Sequence, residues 1–113
     1  MIKFFAYDSS KNEIIINEPE ILLVKEFADL WTNERNKTKD DPDGHLKTRG
    51  FRELIYIYMA IDWGAPGSKD TPAARHEQAM LASGLTEEEY KDPVFQAACK
   101  KYQDLQNSSS IIG

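Results

Sequence analysis

Cysteine is almost missing from this chain: Cys99 is the single one in 113 residues. That excludes an intramolecular disulfide and any zinc cluster built on cysteines. It suits a compartment where disulfides are not needed. Long apolar runs are missing as well. No stretch approaches the roughly 20 apolar residues of a membrane-spanning helix. The apolar piece in the opening MIKFFAYDSSK is too short for a secretory h-region. The expectation is a chain made in the cytoplasm of the producing cell, with no membrane partner. Positive charge is in deficit: 14 basic side chains face 19 acidic ones, for a formal net charge of -5. Such a balance disfavours binding dominated by a phosphate backbone.

Complete chemical motifs are also lacking. Gly64-Ala65-Pro66-Gly67 has neither the spacing nor the lysine of a phosphate loop. His76-Glu77 opens a metalloprotease pattern, but the position of the second histidine holds Met80. His45 is a lone imidazole in a loop, and one imidazole does not make a metal site. Cys99 has no activating base in its local sequence, so it is expected to be a small packed thiol. No catalytic residue, cofactor or metal is therefore expected.

What is present organises into one domain, since 113 residues with 41% hydrophobic and 29% charged side chains can bury a modest core. Ile2 to Tyr7 and Glu13 to Asn17 are short strand-like runs separated by Asp8-Ser9-Ser10-Lys11-Asn12, a turn composition. Residues 1–18 are expected to form a β-hairpin that lies on the helices or pairs with another chain. Residues 19–113 are expected to form a helical domain. Its first helix starts near Pro19, with Leu23, Val24, Phe27, Leu30 and Trp31 three and four residues apart. Residues 33–50 mix both signs of charge around Asp41-Pro42-Asp43-Gly44 and are expected to be a flexible charged loop.

Phe51 to Trp63 is the most apolar run. Helical spacing suits it, through Phe51, Leu54, Ile55, Tyr58, Met59 and Asp62, whereas strand alternation is interrupted by Glu53. A buried strand over Ile55 to Ile61 is the alternative. Gly64 and Pro66 end this element, and Asp70 or Thr71, followed by Pro72, caps a helix over residues 72–83 that Gly84 closes. Thr86-Glu87-Glu88-Glu89 has the spacing of a capping box. Asp92-Pro93 opens the last helix. Ile111-Ile112 after a serine run is expected to dock elsewhere, or the chain to be part of a longer protein. The fold class expected is mainly α with a small N-terminal hairpin: a compact helical domain of three main helices and one short helix.

The segment FRELIYIYMAIDWGAPGSKDTPAARHEQAML, followed by GLTEEEYKDPVFQAACKKYQDLQ, resembles small structural proteins of tailed bacteriophages. An aromatic-rich run ending in aspartate, a small-residue and proline loop, an arginine-containing helix and a late Asp-Pro helix carry the likeness. Here these are Tyr56, Tyr58, Asp62, Pro66, Arg75, Asp92, Pro93 and Tyr102, over roughly the C-terminal half. The resemblance implies a virion component of head, neck or tail, present in several copies or a ring and bound to other virion proteins. It implies no catalytic residues. The expected interface residues are Phe27, Trp31, Tyr56, Tyr58, Asp62, Trp63, Arg75 and Tyr102, since aromatic side chains anchor interfaces. Two other readings differ in class. A nucleic-acid-associated factor would use the basic segment 37–52, with Lys37, Lys39, Lys47, Arg49 and Arg52. A small hydrolase or metal protein would need Asp62, His76, Glu77 and His45 to converge.

Overall fold

Two short strands and a tight turn open the fold of the computed structural model. It describes residues 4–8, 10–11 and 13–112, without the side chains of Tyr7 and of residues 108–112. The expected strand start at Ile2 lies outside the described residues, and the docking of Ile111 and Ile112 rests on side chains outside them. Strands β1 (Phe5–Asp8) and β2 (Glu13–Ile16) pair antiparallel, with Phe5 opposite Ile16 and Asp8 opposite Glu13. The Asp8 carboxylate holds the turn by accepting from the Ser10 amide at 3.0 Å and the Ser10 hydroxyl at 2.6 Å. A lone hairpin is marginal in water. This one lies on the helices through Phe4 and Phe5, whose rings approach Phe27, Tyr58 and Tyr102 at 4.9–5.8 Å.

The remainder is helical. The helices are α1 (Glu18–Ile21), α2 (Lys25–Ala28), α3 (Thr48–Ile61), α4 (Pro72–Ser83), α5 (Glu87–Tyr90) and α6 (Pro93–Ile112), with a 3-10 turn at Asp29–Trp31 after α2. This corrects the expected count of three main helices and one short one: the described residues hold six α-helices. The helix expected from Pro19 through Trp31 is broken. At about 100° per residue, a continuous helix would carry Ile21 about 120° away from Phe27 and place Leu23 beside it. The fold instead buries Ile21 together with Phe27, Leu30 and Trp31, and leaves Leu23 75% exposed. The chain meets that demand by taking an extended conformation at the β-branched Val24, with φ -110° and ψ 122°. Of the five residues expected on one face, Phe27, Leu30 and Trp31 are buried and Val24 packs partly buried against the core; Leu23 is the one misplaced.

The central run is a helix, not a strand. It begins at Thr48, three residues before the apolar stretch, and packs along α4 and α6. Leu54 and Ile57 of α3, Ala79 of α4, and Phe95 and Ala98 of α6 are fully buried together. Each large apolar side chain so buried stabilises the fold by roughly 1.5–3 kcal/mol relative to exposure. The start of α3 crosses the 3-10 turn closely. A Cβ on Gly50 would meet the Trp31 ring at 2.8 Å and the Leu30 carbonyl oxygen at 3.0 Å. The caps further along follow their sequence signals. The Thr71 side chain accepts from the Ala74 amide, Gly84 takes the left-handed conformation at φ 73°, and Thr86 and Glu89 complete a capping box.

Between Thr32 and α3 the backbone forms successive turns. Asn36 organises them from a fully buried position. Its amide donates to the carbonyls of Leu30 at 3.0 Å and Thr32 at 2.7 Å, and its side-chain oxygen accepts from the Gly50 amide at 2.7 Å. One side chain thus satisfies three backbone groups that no helix or strand could serve.

Candidate functional site

The end of α3 is a junction where three helices converge on one turn. Asp62 leaves the helix in extended conformation, φ -65° and ψ 131°, which strands the last carbonyls of α3 without helical partners. Side chains from α4 and α6 take them up. One Arg75 nitrogen, Nη2, donates to the Met59 carbonyl at 3.0 Å and to the Asp62 carbonyl at 2.8 Å. The Gln106 amide donates to the Ile61 carbonyl at 3.0 Å, while its oxygen accepts from the Trp63 amide at 2.9 Å. The Asp62 carboxylate accepts from the Gly64 amide at 2.7 Å and from the Tyr102 hydroxyl. Burial, together with the adjacent Asp62 carboxylate, pushes the Tyr102 phenol well above its ordinary value, so it stays a donor.

On this pinned backbone the Trp63 side chain is 52% exposed. Gln106, which holds it, is itself 2% exposed. A large aromatic ring is therefore presented to solvent on a turn whose backbone freedom is already spent. The ordering cost of the backbone that carries the ring is thus met within the chain.

A second cluster fastens the N-terminal turns to the helices. Glu53, wholly buried on α3, takes a bidentate pair from Arg35 at 2.6 and 2.8 Å. Arg49 reaches Asp92 at 2.7 Å, and Arg52 forms a bidentate pair with Glu89 at 2.6 and 2.8 Å. Burial alone would raise the Glu89 and Asp92 carboxyls. Arg52 with the Thr86 amide at one, and the Val94 amide with Arg35 and Arg49 at the other, outweigh burial and hold both below the usual carboxylate range.

Between α3, α4 and α6 lies a cleft of about 280 Å³ lined by Tyr56, His76, Tyr90 and Cys99 among others. The Tyr56 hydroxyl and His76 Nδ1 are hydrogen-bonded at 2.7 Å. Burial, with Tyr90 alongside, pushes the Tyr56 phenol up. Burial likewise pushes the Cys99 thiol up to about 12. At neutral pH both groups keep their protons, so Cys99 is a packed thiol and not a poised nucleophile.

The eight residues picked from the sequence therefore separate. Asp62, Trp63, Arg75 and Tyr102 meet at the α3 turn. Phe27, Trp31, Tyr56 and Tyr58 are buried within the chain, 0–6% exposed. Arg75 binds the backbone carbonyls of Met59 and Asp62 and not the Asp62 carboxylate. His45 and His76 lie on different elements, with His76 bonded to Tyr56 and His45 beside Asp41 and Asp43. Gln106 was missed, and nothing local in a polar helical stretch marks it. Glu53 did leave a signal, as an acidic residue near the start of the most apolar run, well before Asp62 at its end. Comparison with known protein families, with curated proteins and with solved structures finds no match to this chain.

Proposed function

We propose that this chain is a non-enzymatic structural or adaptor component of a bacteriophage virion. It is made in the host cytoplasm and binds neighbouring head, neck or tail proteins in several copies. The observation that carries the docking role is Trp63: half-exposed, aromatic, and fixed by Gln106, Tyr102 and Arg75 on a preorganised turn. The exposed Leu22 and Leu23 at the break between α1 and α2 add apolar surface of the kind that interfaces cover. The phage assignment rests on the resemblance of the C-terminal half. Repetition in a ring lets a small patch of this kind suffice, because linked copies bind together.

The nucleic-acid reading gains no observation. Arg49 and Arg52 of the basic segment are committed to Asp92 and Glu89, and Lys37 pairs with Glu34 at 2.8 Å.

The test is purification of the intact particle, with identification and localisation of the chain, for wild type and for Trp63→Ala. Wild-type chain is expected at a fixed stoichiometry, and the variant at least tenfold depleted. The free variant should unfold within about 0.5 kcal/mol of wild type, since the side chain is a surface one. A chain missing from purified particles would overturn the virion role. Full incorporation of Trp63→Ala would overturn the role of the turn.

A further inference from the structure

We propose that Asp41, Asp43 and His45 form a binding site for a first-row divalent transition cation, with Zn²⁺ as its representative. The site stands apart from the docking turn and does not depend on that reading. The sequence Asp41-Pro42-Asp43-Gly44-His45 spaces three ligand-bearing side chains two residues apart around a turn. That turn is closed by the Gly44 amide donating to the Asp41 carbonyl at 3.0 Å. One potential ligand atom from each residue lies within 4.8 Å of the others.

The decisive atom is Asp41 Oδ1. The Asp41 side chain is 1% exposed, and its Oδ2 accepts from the Leu46 amide at 2.9 Å. Oδ1 is shielded from solvent and receives no hydrogen bond from the described residues. It sits 2.9 Å from His45 Nδ1, but the same nitrogen lies 2.5 Å from Asp43 Oδ1. A ring nitrogen carries at most one proton and directs it along one line. Two carboxylates thus converge on a donor that can serve one of them, and a buried carboxylate oxygen is left over. Such an orphan is costly.

A divalent ion in place of that proton would face all three atoms at once. First-row ions hold nitrogen and oxygen ligands at about 2.0–2.2 Å, which sets neighbouring ligands about 3 Å apart. The observed spacing needs only a small opening to reach that. Asp43 and His45 can supply it, because their side chains are 75% and 64% exposed. The exposed side also leaves the remaining coordination positions to water. The two carboxylates balance the charge of the ion. The imidazole nitrogen favours a transition cation over Ca²⁺ or Mg²⁺, which prefer all-oxygen shells. Bound there, the ion would tie down the turn immediately ahead of α3.

Calorimetric titration of the metal-stripped full chain with Zn²⁺, and separately with Ca²⁺, tests the assignment. Wild type should bind one Zn²⁺, at least tenfold more tightly than Ca²⁺. His45→Ala and Asp43→Asn should each weaken Zn²⁺ at least tenfold, and His76→Ala should leave it unchanged. Circular dichroism checks that the variants remain folded, and both altered side chains are exposed. In the NMR spectrum of wild type, Zn²⁺ should shift the His45 ring signals and leave those of His76 in place. Failure of wild type to saturate with Zn²⁺ would overturn the site. So would unchanged affinity in His45→Ala, or Ca²⁺ bound as tightly as Zn²⁺.

Discussion

Phe27 and Phe95 are both fully buried, yet the chain delivers them to the core by different means. Phe95 rides on α6, a 20-residue helix whose first turn is fixed by the Asp92 carboxylate accepting from the Val94 amide at 2.8 Å. Its buried neighbours Ala98, Cys99, Tyr102 and Gln106 follow at helical steps. Phe27 sits on a four-residue helix between an extended residue and a 3-10 turn. Its surroundings are held by Asn36 and by the Arg35–Glu53 pair. In the C-terminal region, local pattern and tertiary need agree. In the N-terminal region, burial overrides periodicity and the chain relies on long-range polar bonds. The two regions should therefore fail differently.

Removing the fastener between them should have the largest effect. Glu53→Ala leaves Arg35 with the longer Asp92 contact in place of its bidentate partner, and breaking a buried pair from one side costs about 3–5 kcal/mol. Urea denaturation should record that loss. Loss within about 1 kcal/mol would mean the N-terminal turns are docked by apolar packing alone. Asn36→Ala should cost about 3 kcal/mol, because it strips partners from buried backbone groups worth roughly 1–3 kcal/mol each. Hydrogen exchange should localise that damage: protection falls at the Gly50 amide and its neighbours, while α4 and the middle of α6 keep theirs. Uniform loss across the chain would dissolve the distinction between the regions.

Acid should act most gently. Glu89 and Asp92 are depressed in the folded state, so their contribution is complete above the unfolded carboxylate range near pH 4–4.5. It is lost as pH falls through the folded values. The urea midpoint should hold from pH 7 to about pH 5 and then decline. In Arg52→Gln the decline should be shallower. An identical profile in that variant would remove Glu89 from the account.

Much of the C-terminal fold was legible in advance. The helix over residues 72–83 with its Gly84 cap and an N-cap narrowed to Asp70 or Thr71, the Thr86–Glu89 capping box and the Asp92-Pro93 start all depend on groups within a few residues of one another. The hairpin was legible for the same reason, from a turn-forming run between two strand-like pieces. The break at Val24 was not, because Ile21 is buried by contacts that local spacing does not contain. Four of the five residues at the α3 turn were visible, Asp62, Trp63, Arg75 and Tyr102, but Gln106 lies 43 residues from the amide it holds. Arg35 and Asp92, 57 residues apart, likewise meet only in three dimensions. His45 carried no weight as a lone imidazole until the turn brought Asp41 and Asp43 against it.

The buried Cys99 has a practical use. With its thiol pushed up to about 12, it keeps its proton at the near-neutral pH of maleimide coupling and is shielded from the reagent. A second cysteine placed at the exposed Glu77 would then be the only thiol that couples. Each copy in an assembly would carry one fluorophore or spin label at one known address. Label-to-label distances would report the number and spacing of copies without any need to rebuild the core.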